Sequence, residues 1–276
     1  MRGSTARQFW FPILAVSTLL PTAVAAQLSS FSDAEVEQCL SEAQIGKKAG
    51  KLVGVTKPEH LKIDCSIELD SAVFKPLDEH RRGVTRLGGG ATEMNFSDSF
   101  KYERAAYLLD RELGLGMVPV AVIRNIKGDE GALVAWIPNA GHEASMDRPT
   151  GPQMAALAQQ KALMGLFDAL ILNVDRRQEN WMIDKETWDL YLIDHSRAFR
   201  DRKQLPDGFA DQLVRMDQSF YTNLEALDED GLTALLDGLV SGAQIESLLA
   251  RRDLILQKIE QDREVYGDSI VFMEQQ

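Results

Sequence analysis

The sequence predicts an α+β chain, with strands gathered in its N-terminal half and helices in its C-terminal half. Three observations carry this. Leu61, Ile63, Cys65, Ile67 and Leu69 alternate with Lys62, Asp64, Ser66 and Glu68, the period of two expected of a half-buried strand. Two apolar runs, Trp181 to Ile183 and Trp188 to Ile193, flank the polar segment Asp184-Lys-Glu-Thr and read as strand, turn, strand. Leu232, Leu235, Leu236 and Leu239, then Ile245, Leu248, Leu249, Leu254 and Ile255, recur at helical spacing among charged residues.

From the N-terminus, Arg2 and Arg7 precede an apolar stretch beginning at Phe9, and Ala23-Val24-Ala25 offers a small-residue cleavage site. Residues 1–25 are therefore expected to be a signal peptide, and residues 26–276 an exported chain, periplasmic or secreted. Pro12 and Pro21 interrupt the apolar stretch, against its staying as an uncleaved anchor. No later run approaches the roughly 18 apolar residues that span a bilayer, so no stable membrane anchor is expected after cleavage. A short helix over Asp33 to Ala43 carries Cys39, and Cys65 lies on the apolar face of the alternating strand. An oxidising compartment would let these two bridge; two buried free thiols are the alternative.

Gly46 to Pro58 is rich in glycine and lysine and reads as a loop, either a backbone cradle for a phosphate or a flexible basic linker. After the alternating strand, Asp70-Ser71 turns the chain into a second strand, Ala72 to Lys75. A lysine there also fits a plain edge-guarding charge. Gly88-Gly89-Gly90 is a second phosphate-loop candidate, but its place between Lys75 and the next helix suits letting that helix shift. Ser97 or Asp98 caps that helix, whose apolar side is Tyr102, Ala105, Ala106, Leu109 and Leu113, with Gly114, Gly116 and Pro119 marking its end. Glu103 sits in its first turn, where the helix dipole alone would favour a carboxylate. The turn Lys127 to Gly131 leads into the strand Ala132 to Ile137; beyond a loop, Pro152 opens a helix bearing Met154, Leu157, Met164, Phe167, Leu170 and Ile171. That helix delivers the chain to Asp175.

Antiparallel partners lie about 5 Å apart, so the start of the strand at Trp181 faces the end of the strand at Ile193. Asn180 is thus expected beside Asp194, with Asp175 in the loop five residues before Asn180. A hard divalent cation takes oxygen ligands, and Mg²⁺ usually uses one or two carboxylates plus phosphate oxygens. Asp194 and Asn180 suit that role, leaving Asp175 to orient or deprotonate a hydroxyl. Polar residues at hairpin ends also serve as plain turn chemistry, and this segment alone fits either.

Asp-x-x-x-x-Asn, a strand pair, then Asp after an apolar strand resembles the active-site order of the protein-kinase-like fold. The wording here, Asn173-Val-Asp175-Arg and Leu192-Ile-Asp194-His-Ser-Arg-Ala-Phe199, departs from the His-Arg-Asp and Asp-Phe-Gly of typical protein kinases. It is similar to the atypical branch that holds the Golgi casein kinases, the phosphoinositide lipid kinases and the HipA-type kinases. The helix Tyr102-Glu-Arg-Ala-Ala-Tyr-Leu-Leu-Asp-Arg-Glu-Leu-Gly114, followed by Met117-Val-Pro-Val, resembles the corresponding helix of the Golgi casein kinase group.

The resemblance spans roughly Gly54 to Phe199 and implies a two-lobed fold, with a small β-rich lobe over about residues 26–137 and a helical lobe over about 138–276. It implies ATP with Mg or Mn as cofactors. Lys75 would meet the α and β phosphates and Glu103 would hold Lys75. Gly54, Thr56 and Lys57 would cover the phosphates, although this segment matches no standard glycine-loop pattern. Asn180 and Asp194 would hold metal and Asp175 would act on the acceptor. Arg176 would brace Asp175 or meet phosphate, and His195 is expected to be structural. The strand at Ala132 would lead to the hinge whose main chain meets the adenine edge. The acceptor would be a hydroxyl on a protein, sugar or small molecule. Two other functions use the same fold: a non-catalytic binding module, and a nucleotidyl transferase. The formal charge of −12 argues against nucleic acid and anionic membrane as partners.

Overall fold

Ser32 opens α1, Asp33–Glu42, with a reciprocal cap in which its hydroxyl accepts the Glu35 N–H and the Glu35 carboxylate accepts the Ser32 N–H. The structure, a computed structural model, describes residues 31–50, 52, 58–86, 90 and 92–273. The expected signal peptide and Gly54, Thr56 and Lys57 lie outside the described residues. After α1 come β1, Gln44–Gly50, β2, Glu59–Asp64, and β3, Ser71–Lys75. β4, Asp78–Arg86, and β5, Thr92–Ser99, form a separate two-stranded hairpin before α2, Lys101–Glu112. β6, Ala121–Ile126, and β7, Asp129–Ala135, complete a five-stranded antiparallel sheet of order β1-β2-β3-β7-β6.

This order puts Lys75 near the middle of the sheet, paired with Ala132 of β7. The strands approach closely there. A Cβ on Gly131 would fall 2.6 Å from the Lys75 carbonyl oxygen and 2.7 Å from the Phe74 ring, so only glycine fits. By register Leu61, Ala72, Phe74 and Leu133 share one face of the sheet, and with Ala105, Ala106 and Leu109 of α2 they belong to one continuous apolar core. α1 lies behind α2, held by Arg111 to Asp33, by the Tyr107 hydroxyl to Glu37, and by Arg124 donating to the Leu40 and Ala43 carbonyls. Cys39 and Cys65 are joined in a disulfide that ties α1 to the turn after β2.

The second lobe is mostly helical. β8, Ala140–Gly141, precedes α3, Gly151–Ile171, and joins β9, Trp181–Asp184, and β10, Leu190–Leu192, in a small sheet. α4, Gln218–Ala226, α5, Glu229–Leu235, and α6, Gly242–Tyr266, start at side-chain caps from Asp217, Asp228 and Ser241. α7, Asp268–Val271, closes the described chain. α6 buries Ile245, Leu248, Ile255 and Ile259, together with Arg251, whose guanidinium donates to the Leu170 and Arg200 carbonyls. No helix among the described residues is long and apolar enough to cross a membrane.

Three expectations are corrected. The alternating strand ends at Asp64 rather than Leu69, because the chain must reverse before Ser71; Ile63 N–H already bonds back to the Asp70 carbonyl. Gly46 to Gly50, read as loop, is part of β1, an edge strand that tolerates polar residues because only one side is paired; its Lys48 sits 2.6 Å from Glu59. Neither Ser97 nor Asp98 caps α2. β5 runs through Ser99, Phe100 takes the cap position with no side-chain bond, and the Asp98 side chain is buried elsewhere. The β4–β5 hairpin was not foreseen.

Candidate active site

Three elements distant in sequence converge on the Lys75 ammonium. It lies 2.6 Å from Glu103 Oε1 of α2 and 3.0 Å from Asp194 Oδ1, two residues past β10. Glu103 is only 3% exposed and also accepts the His195 backbone N–H at 3.1 Å. Burial alone would push the Lys75 ammonium down, but the Glu103 and Asp194 carboxylates outweigh it and hold it above the usual lysine range. Burial would likewise raise Glu103, yet Lys75 and His195 hold it well below the carboxylate range. Lys75 is therefore a cation and Glu103 an anion at neutral pH.

The loop after α3 supplies the next groups. Leu172 ends that helix in the left-handed region, φ 47°, and turns the chain toward Asp175. Arg176 grips Asp168 in a two-pronged contact at 2.8 and 3.0 Å, donates to the Ile193 carbonyl at 2.9 Å and to that of Asn180, and meets His195 Nε2 at 3.1 Å. Arg176 thus holds the hairpin to the loop; its partners are Asp168, His195 and the Asn180 and Ile193 carbonyls, so it braces Asp175 through the loop and not by direct contact with its carboxylate. Arg177 is the residue beside Asp175, at 3.3 Å. β9 and β10 pair with Leu192 opposite Trp181, and Ile193 N–H donates to the Asn180 carbonyl at 3.0 Å, which sets Asn180 next to Asp194 in the ladder. The Asn180 amide NH₂ is committed to the Asp175 carbonyl at 2.6 Å, leaving its oxygen as the group open to a cation. His195 is fully buried between Arg176 and Glu103, in keeping with a structural role.

One carboxylate was missed. Asp98, at the end of β5, is 7% exposed, and its Oδ1 has no hydrogen-bond partner. Burial pushes its carboxyl up, Ser196 offsets this by a hydrogen bond, and the charge of Asp194 raises it further. A buried orphan carboxylate oxygen that also feels the charge of a second carboxylate is a place where a cation is favourable. Among the described residues no group of three His, Cys, Asp or Glu side chains could hold a metal alone. Two carboxylates and an amide oxygen fit Mg²⁺ or Mn²⁺ brought with phosphate oxygens. In the sequence Asp98 looked like a helix cap, because an acidic residue before a helix carries the same pattern in either role.

At the other end of the same sheet face, His60 of β2 stacks on Trp136, just past β7, with ring centres 4.0 Å apart, and bonds Ser71 at 2.9 Å. This is where β7 leaves the first lobe.

No family model matches the chain, and no curated protein sequence does. Solved structures do resemble it. The structure of hydra Fam20 with sugar superposes with a TM-score of 0.60 over 87% of this chain and 91% of that one, at 16% identity. The Golgi casein kinase does so at 0.60 over 87% and 77%, at 14% identity. A Golgi casein kinase with Mn/ADP bound gives 0.60 over 87% and 78%, at 15% identity. At such identities the likeness is one of fold: the chain has the two-lobed, atypical kinase-like α+β fold that these structures share.

Proposed function

We propose that this chain is an exported atypical kinase, residues 26–276 acting as one domain, that transfers a phosphoryl group from ATP to a hydroxyl acceptor with Mg²⁺ or Mn²⁺. The single observation that carries this is Lys75 held between Glu103 and Asp194, because kinase chemistry needs that lysine–glutamate pair and the metal-side aspartate in place together. A kinase of the same fold with Mn/ADP bound supports nucleotide and metal as the cofactors.

Lys75, fixed in place by Glu103, is the residue that would hold the α and β phosphates. Asp194, Asn180 and Asp98 are the residues that would hold the divalent ion. When bound, that ion supplies positive charge to the phosphate oxygens as the phosphoryl group departs. Asp175, on a loop stiffened by Arg176 and Asp168, orients the acceptor hydroxyl and takes its proton. The disulfide and the signal-like N-terminus support an oxidising, exported setting.

The test is label transfer by the mature protein from ATP labelled separately at the γ and α positions, with Mg²⁺ or Mn²⁺, beside Asp194→Ala and Asp175→Ala. γ-label on protein or in phosphate, present only with Asp194 intact, is the expected result. α-label would replace the proposal with nucleotidyl transfer, and no label of either kind would replace it with a binding module.

A further inference from the structure

The β4–β5 hairpin stands apart from the five-stranded sheet, yet it lies against the chain that follows Asp194. Glu93 of β5 meets the guanidiniums of both Arg197 and Arg200. Arg200 also donates to the Asn95 carbonyl at 3.2 Å, and Arg197 lies 5.3 Å from the centre of the Phe96 ring. At the far end of the strand, the Ser99 N–H donates to the Ser196 carbonyl at 2.8 Å. Residues 196–200 are therefore gripped along β5 from Glu93 to Ser99.

This segment needs a grip. Asp194 and Phe199 take φ of 63° and 54°, a left-handed conformation that residues with side chains keep only where their surroundings over-determine it. In the grip one carboxylate, Glu93, touches two guanidiniums, while the Asp98 charge acts on Arg197 from farther off. Burial pushes Arg200 down to about 10, which leaves it charged at neutral pH. Without the Glu93 charge, two like charges would face each other across residues 196–200 and drive the segment off the strand. Glu79, on the same hairpin, pairs with Arg81 alone among the described residues, near the surface.

We propose that Glu93 is a positioning residue: by holding Arg197 and Arg200 it fixes the segment that carries Asp194, and so sets the place of that carboxylate beside Lys75. The metal-binding consequence rests on the proposed function; the conformational one does not.

The experiment is hydrogen exchange of the intact protein and of its Glu93→Gln and Glu79→Gln variants, read at the Ala198 and Phe199 amides, which donate to the His195 and Ile171 carbonyls. Glu93→Gln is expected to speed exchange at these two amides by about tenfold or more while α6 keeps its protection, and Glu79→Gln to behave as wild type. Unchanged exchange at the two amides, or acceleration spread equally into α6, would overturn the proposal. A second arm follows Mn²⁺ uptake with ADP by paramagnetic resonance. Affinity should fall about tenfold in Glu93→Gln and return in the reversed pair Glu93→Arg with Arg200→Glu. Wild-type affinity in Glu93→Gln counts against the positioning role. If the wild-type protein takes up no Mn²⁺ with ADP, the proposed function fails, and the exchange result still decides what Glu93 does.

Discussion

Replacing Lys75 by methionine should invert the electrostatics of the site. In the wild type, Glu103 is a buried anion neutralised by Lys75 at 2.6 Å, while Asp194 is far more exposed. Lys75→Met leaves the Glu103 charge buried beside His195. Removing one partner of a buried pair costs about 3 to 5 kcal/mol, a large share of the 5–15 kcal/mol that typically holds a domain together. The pH dependence then changes sign. In the wild type Glu103 is held below its ordinary range, so its contribution is present above that range and is lost only as pH falls through the depressed folded value, in strong acid. In Lys75→Met only His195 still opposes burial, the largest influence on Glu103, so its carboxyl is expected to rise above its unfolded value and stability to improve as pH falls toward the carboxylate range. The double variant Lys75→Met with Glu103→Gln removes both charges and should recover about 2 kcal/mol or more relative to the sum of the single losses. Urea unfolding of the four proteins at pH 7.5 and pH 5 measures all of this. Additive single losses, or a Lys75→Met variant no more stable at pH 5 than at pH 7.5, would refute the reasoning.

Other perturbations have equally definite outcomes. Asp98→Asn removes a carboxylate that is repelled by Asp194 and raised by burial; the unliganded protein should gain about 1 kcal/mol at neutral pH and lose that advantage in acid, with Mn²⁺ uptake weakened, as melting curves and a Mn²⁺ titration would report. Arg176→Ala strands the nearly buried Asp168 and should cost about 3 to 5 kcal/mol in denaturant titrations, although Arg176 touches no substrate in the proposed chemistry. Replacing both cysteines by serine should lower stability by about 3.5 kcal/mol on the chain-entropy model for a separation of 26 residues, whereas a thiol reductant should have no further effect on that variant.

Much of the site was legible because its parts announce themselves locally. The polar turn after Asp184 between two apolar runs fixed the β9–β10 pairing, and with it the neighbourhood of Asn180 and Asp194. The helical spacing from Tyr102 to Leu113 placed Glu103 on a helix, and the core confirms that face as buried. What the sequence withheld depends on contacts between distant segments. β4 reads Asp-Glu-His-Arg-Arg-Gly, polar on both faces, because its hairpin is secured by ion pairs to Arg197 and Arg200 instead of by an apolar face. Asp98 is indistinguishable from a cap until Asp194, nearly a hundred residues later, is seen to share its surroundings. The cysteines left two possibilities open, which only the approach of α1 to the end of β2 could separate.

Calorimetric titration of ATP in the presence of Mn²⁺ tests most directly whether Lys75, Glu103 and Asp194 form a nucleotide–metal site. The wild-type protein should bind one ATP per chain, with affinity reduced at least about tenfold in Lys75→Met and in Asp194→Ala. Absence of binding by the wild type, or equal binding by all three proteins, would contradict it.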